Sequence, residues 1–129
     1  SQDGIGLAIG RCSCCNAISI AEAKYNPGMH PHAIYHNNVL IGFFMYQRAE
    51  NQADTATIYR FMIDDRFQQR GLEEKALEHI LKGLKIQGVK RVVFIINSTN
   101  GNAKNLSLSF GFQFTGKMEH GEYYYALKL

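Results

Sequence analysis

Long apolar runs are missing from this sequence. Val39–Met45 and Val92–Ile96 are among the longest, far short of the roughly 20 residues that a membrane-spanning helix requires, so no such helix is expected. Proline is scarce, with only Pro27 and Pro31, and neither a low-complexity linker nor an internal repeat interrupts the chain. Residues 1–129 are therefore read as one domain. No cationic stretch followed by a long apolar one opens the sequence, so a secretory leader is not expected and the cytoplasm is the expected compartment. Cysteine is limited to Cys12, Cys14 and Cys15. An odd number crowded into four positions suits reduced thiols rather than a disulfide framework. A zinc site would have to recruit His30, His32 or His36, which lie on or beside the first hairpin and are too irregularly placed for a metal set, so no metal is expected.

What is present is enough for a core: 46% of the residues are apolar and 12% aromatic. The formal charge of +3 is unevenly spread. Residues 1–57 hold three Lys or Arg against four Asp or Glu, and residues 58–129 hold eleven against seven. The second half can attract an anionic ligand, yet its charges are too dispersed for a nucleic-acid stripe.

Periodicity supplies an order of elements. Ile18–Tyr25 reads as a short helix stopped by Asn26-Pro27-Gly28. His32–His36 and Val39–Tyr46 flank Asn37-Asn38, a pair that tolerates the left-handed turn of a hairpin. Thr55–Ile63 is rich in β-branched and aromatic residues, as in a central strand. From Gly71 to Gln87, Leu72, Ala76, Leu77, Ile80, Leu81 and Leu84 recur at helical spacing, with Gly88 placed for a left-handed cap. Arg91–Asn97 carries the uninterrupted run Val92–Ile96 of a strand covered on both faces. A second helix with Ala103, Leu106 and Phe110 on one face ends at Gly111. Phe112–Met118 and Glu122–Leu127 then form a hairpin around His120-Gly121. This order implies an α/β fold: a mixed, mostly antiparallel sheet with helices packed on its faces.

The segment from Arg60 to Ala76 runs from a strand through a polar loop into an amphipathic helix. The first N–H groups of such a helix have no internal partners and carry the positive end of its dipole, so they can hold a phosphate. Within this segment, Gln68-Gln69-Arg70-Gly71-Leu72-Glu73 resembles the pyrophosphate loop of the GNAT acetyltransferases, Gln/Arg-x-x-Gly-x-Gly/Ala, matching at Gln68 and Gly71. Downstream, Asn100, Ala103, Leu106, Gly111 and Phe112 match the same family's second pattern, with Ser107 where that pattern has tyrosine. The resemblance covers roughly residues 33–129. Ile41-Gly42-Phe43 and Arg60-Phe61-Met62-Ile63-Asp64 look most like the diamine or polyamine branch. Residues 1–17 do not resemble the family's usual first strand and helices, so an atypical, shortened N-terminal segment is expected.

The resemblance implies an N-acetyltransferase that uses acetyl-CoA as co-substrate and acetylates a primary amine of a small molecule by direct attack in a ternary complex. It implies cofactor contacts from the strand edge Phe61, Met62 and Ile63, from the loop Gln68, Gln69, Arg70, Gly71, Leu72 and Glu73, and from Asn100 and Ala103 on the second helix. Ser107 takes the place of the tyrosine that protonates the departing thiolate. A serine hydroxyl is shorter and far less acidic than a phenol, whose reference pKa is about 10. Glu73 replaces a glycine or alanine and adds a carboxylate near the pyrophosphate, which Arg66, Arg70 and Lys75 would partly offset. Arg60 stands where many relatives carry a basic glutamate. Glu50, Asp54, Glu119, His120 and Tyr59 are the alternative bases. These departures favour a second reading, a GNAT-fold binding or regulatory module with weak or no CoA affinity. The altered N-terminal segment and open strand edges also permit a homodimer.

Overall fold

Short runs of β-branched and aromatic residues, separated by turns whose residues accept positive φ, build a single seven-stranded sheet. A computed structural model describes residues 7–11, 30–49 and 51–129. Its strands are β1 (Leu7–Arg11), β2 (His30–His36), β3 (Val39–Arg48), β4 (Thr55–Ile63), β5 (Arg91–Asn97), β6 (Gln113–Glu119) and β7 (Glu122–Lys128). The helices are α1 (Leu72–Ile86) and α2 (Gly101–Ser109), and a 3-10 segment, Asp65–Arg70, leads into α1. The sheet runs β1-β2-β3-β4-β5-β7-β6. Every neighbouring pair is antiparallel except β4–β5, which is parallel.

Most elements fall where periodicity puts them, with instructive differences. Leu7–Arg11 is a strand paired with β2 from Leu7–His36 to Arg11–His32, within the stretch expected to lack the family's first strand. Only this pairing, which no local pattern announces, defines it. β2 begins at His30 and includes Pro31, whose partner in β3 is Met45. The helix expected at Ile18–Tyr25 and the cysteine cluster lie outside the described residues. Asn37 and Asn38 adopt φ of 50° and 67°, and His120 and Gly121 adopt 52° and 77°. Both two-residue hairpin turns are therefore left-handed, the sense that matches strand twist.

The core forms between one sheet face and the two helices. From α1, Leu72, Ala76, Leu77, Ile80, Leu81 and Leu84 are buried against Ile34, Phe44, Ile58 and Val92. Full burial of each large side chain contributes roughly 1.5–3 kcal/mol. Phe94 is the hub, edge-on to Phe61 with ring centroids 6.0 Å apart and to Phe112 at 5.8 Å. Towards the C-terminal end of β4 the register with β3 shifts. Phe43 pairs with Met62 while Met45 pairs with Tyr59, so β4 carries one extra residue. Arg60 sits in that bulge with φ of 41°, a conformation costly for a side chain of its size. The bulge resets the alternation: Ile58 and Phe61, rather than Ile58 and Arg60, face the core.

The same irregularity brings the strands unusually close. A Cβ built on Gly42 would stand 2.2 Å from the Met62 carbonyl oxygen and 2.9 Å from the Ile63 Cδ1. Gly42→Ala must push β3 away from the bulge, and it is expected to cost about 1–3 kcal/mol, the range for overpacking. Urea unfolding checks this, and an unchanged midpoint would show that the two strands are free to separate.

Candidate active site

Strands β4 and β5 pair at four positions, from Thr55–Arg91 to Ile58–Phe94. Beyond that point β4 runs on to Ile63 and β5 to Asn97 without pairing to each other. The gap between them is a cleft of about 440 Å³ whose lining includes Phe61 and Met62 from β4, Phe94–Asn97 from β5, and Asn100 and Ala103 from the start of α2. Phe61, Phe94, Ile96 and Ala103 belong to the helix-covered face, whereas Ile95 and Asn97 alternate onto the other. The cleft is thus lined by residues of both sheet faces.

A second hollow, about 450 Å³, lies between the start of α1 and the outer side of α2, lined among others by Gly71, Glu73, Asn102 and Ser109. Gly71 has φ of 70° and ends the 3-10 segment while starting α1, with no side-chain cap on the helix. The left-handed conformation turns the chain sharply at no steric cost only for glycine. The first N–H groups of α1 are thereby left to an anion. Glu73, half-buried beside them, opposes one: burial first, and then the charge of Glu74, raise its pKa. On the far side of the bulge, a groove of about 540 Å³ runs over Leu40, Gly42, Phe43 and Met62 to Asp64 and Arg66. There Asp64 accepts from the Arg66 Nε and Nη2, both at 3.1 Å, and from the Arg66 amide at 2.9 Å. These bonds hold its carboxyl below the usual range.

The structure brings Phe61, Met62, Asn100 and Ala103 together at the cleft, and Gly71 and Glu73 at the helix-start hollow. Ile63 lines the β3–β4 groove. Leu72 is 4% exposed and belongs to the core. Gln68, Gln69 and Arg70 lie in the 3-10 segment that precedes Gly71. The Asn100 carboxamide is engaged as the N-cap of α2, its Oδ1 accepting from the Ala103 amide at 3.1 Å. Ser107 is not on an exposed helix face: it is fully buried, and its hydroxyl donates to the Lys104 carbonyl at 2.8 Å. Its own carbonyl accepts from the Phe110 and Phe112 amides. It does not line the cleft.

Of the bases named from the sequence, Asp54 precedes β4 at the end opposite the cleft, its carbonyl accepting from the Lys90 and Arg91 amides. Glu50 lies outside the described residues. Glu119 is exposed and near Lys117 and His120, at 3.7 and 3.8 Å. Sequence reasoning passed over Glu122. Among the described residues that line the cleft, Arg60 and Glu122 carry the ionisable side chains. Glu122 pairs with Asn97, the last residue of β5, which carries it to the open end of the gap. The only signal in the sequence was its place as first residue after the His120-Gly121 turn, in alternation with Tyr124. Tyr59 lies on the same face. Burial pushes its phenol above the ordinary value, with Tyr124 and Glu122 adding to the rise, and its hydroxyl reaches the Gln47 Oε1 at a long 3.4 Å.

The chain is 31% identical over 108 residues to the spermine/spermidine N(1)-acetyltransferase of Bacillus subtilis, a match covering 79% of this chain and 71% of the relative. Its fold superposes on a GNAT family acetyltransferase from Elizabethkingia anophelis, solved with acetyl-CoA bound, with a TM-score of 0.75 at 14% identity, over 96% of this chain and 99% of that one. An acetyltransferase from Thermus thermophilus gives a TM-score of 0.73 at 22% identity, over 87% and 71% of the two chains. Residues 12–112 match the acetyltransferase (GNAT) family profile, and the chain belongs to that family.

Proposed function

We propose that this protein transfers an acetyl group from acetyl-CoA to a primary amine of a small molecule, with a polyamine as the acceptor class. The observation that carries the reading is the cleft where β4 and β5 part, lined by residues of both sheet faces. It allows a thioester presented from the helix side to meet an amine approaching from the other face. The polyamine class rests on the spermine/spermidine acetyltransferase relative.

The residues present fit most of the co-substrate. The extended edge Phe61–Ile63 suits the amides of the pantetheine arm, Asn100 and Ala103 wall the other side, and the turn at Gly71 with the start of α1 suits the pyrophosphate. The co-substrate supplies an acetyl thioester, whose acyl carbon accepts the amine. Cleft residues would exclude water and orient both partners, which is where such reactions gain most. Two features weigh towards low cofactor affinity and a binding role instead: Glu73 at the pyrophosphate hollow, and the buried, engaged hydroxyl of Ser107.

Calorimetric titration of acetyl-CoA separates these readings. Micromolar binding together with acetylation of spermidine is the expected result, and absence of binding at millimolar concentration rules out the enzyme. Glu73→Gly is expected to tighten binding roughly tenfold, since two like charges about 4 Å apart repel by about 1–4 kcal/mol between water and a surface-like medium. The sign with pH follows from the raised pKa of Glu73. Protonation removes the repulsion, so affinity should rise as pH falls from neutral towards that pKa. Glu73→Gln should lack this share of the rise, and identical slopes in the two proteins would exclude Glu73 as its source.

Ser107→Tyr is not expected to restore a proton donor. A phenol has no room at a fully buried position and should destabilise the fold by at least the roughly 1–3 kcal/mol typical of overpacking, read as a lower thermal midpoint. A Ser107→Tyr protein with unchanged stability and faster turnover would reverse this conclusion.

A further inference from the structure

Resting on the proposed acetyl transfer, we propose that Glu122 is the carboxylate that receives the acceptor's ammonium group and takes its proton before attack. A primary alkyl ammonium, with a reference pKa near about 10.4, has no lone pair to offer until it loses a proton. Arg60, the other ionisable group lining the cleft, cannot accept one.

Three observations position Glu122 for this. First, the cleft is lined from both faces of the sheet, and Glu122 lines it together with Ile95 and Asn97, the residues that alternate away from the helices. An amine held there approaches the gap from the side opposite α1 and α2. Second, the backbone of Glu122 is fixed. It pairs with Asn97 across β5 and with Glu119 across the hairpin, and the preceding Gly121 carbonyl accepts from the Ser98 amide at 2.9 Å. Third, its surroundings suit a cation. Tyr59 from β4 and Tyr124 from β7 share its face, and Tyr59 interacts electrostatically with both Tyr124 and Glu122.

The charged and titratable groups around it are Tyr59 and Arg60 on β4, Tyr124 on its own strand, Glu119 opposite, and Lys117. The Lys117 ammonium lies 4.4 Å from the centre of the Tyr124 ring and 3.7 Å from Glu119. Lys117 thus shows an ammonium already held over one of these rings.

The step balances without a further reagent. The proton passes from the ammonium to a Glu122 carboxylate oxygen, directly or through one water. The freed nitrogen lone pair then forms the C–N bond to the acyl carbon. The C–S bond breaks with its electron pair on sulfur, and the second proton lost from nitrogen passes, directly or through water, to that thiolate, which leaves as the free thiol.

The test is kinetic, with spermidine and acetyl-CoA, on Glu122→Gln and Glu122→Asp beside the natural protein. Glu122→Gln should lower kcat/KM for spermidine by about 100-fold at neutral pH, the lower end of what a positioned base contributes. The deficit should shrink at least tenfold towards pH 10, where the amine deprotonates unaided. Glu122→Asp should keep the pH dependence with a smaller loss. Acetyl-CoA affinity measured by calorimetry should stay within about threefold in both variants. A Glu122→Gln protein within threefold of the natural one at neutral pH, or a deficit that is constant with pH, overturns the proposal.

Should the natural protein fail to bind acetyl-CoA, the enzymatic reading falls on its own, and titration with spermidine alone still decides the role of Glu122. Loss of binding in Glu122→Gln supports an ammonium site. Equal binding in the two proteins, or none in the natural one, refutes it.

Discussion

A parallel pair of strands held together at only four positions, Thr55–Arg91 to Ile58–Phe94, sets where this fold can admit a ligand. The other neighbouring strands stay paired over most of their shared length, and open edges otherwise remain at β1 and β6, the two ends of the sheet. In the β4–β5 pair both strands continue after their ladder has stopped, and the backbone separates although β3 still holds β4 and β7 still holds β5. Such a separation forfeits hydrogen bonds and is stable only if packing fixes both lips. Phe61 and Phe94 meet edge to face across its base, and Ala103 at the start of α2 closes one side.

The bulge at Arg60 is the second part of the same device. By inserting a residue into β4 it restores Phe61 and Ile63 to the core face after Ile58. The lip is therefore anchored by large apolar side chains while Met62 stays outside, 53% exposed. A strained φ at Arg60 persists because Gly42, without a Cβ, lets the β3 backbone close on Met62. Strain, close approach and divergence are thus one construction, and the cleft is its product.

Charge divides along the two faces that this cleft connects. At the start of α1, free N–H groups and the helix dipole favour an anion, while Glu73 and Glu74 oppose it. On the other face Glu122 lines the cleft, with Tyr59 and Tyr124 near it, an arrangement that favours a cation. A chain with the modest net charge of +3 can therefore suit an anionic and a cationic partner at once, because the sheet keeps their sites apart.

Element type and order were legible in the sequence. β4 and β5 are bounded as read, and α1 within a residue at each end, since a buried amphipathic face leaves a 3.6-residue period and a doubly covered strand an apolar run. Left-handed turns were legible from Asn37-Asn38 and His120-Gly121, because φ is a local property. The two motifs also picked out Gly71 and Asn100, the second as a cofactor contact, whereas its role as the cap of α2 came only with the structure. β1, the bulge at Arg60, the burial of Ser107 and the convergence of Glu122 with Tyr59 were not legible. Each depends on which strand lies beside which, and on where a ladder ends. Periodicity records the face a residue presents, whereas pairing between segments distant in sequence decides what that face meets, and only the tertiary structure fixes that pairing.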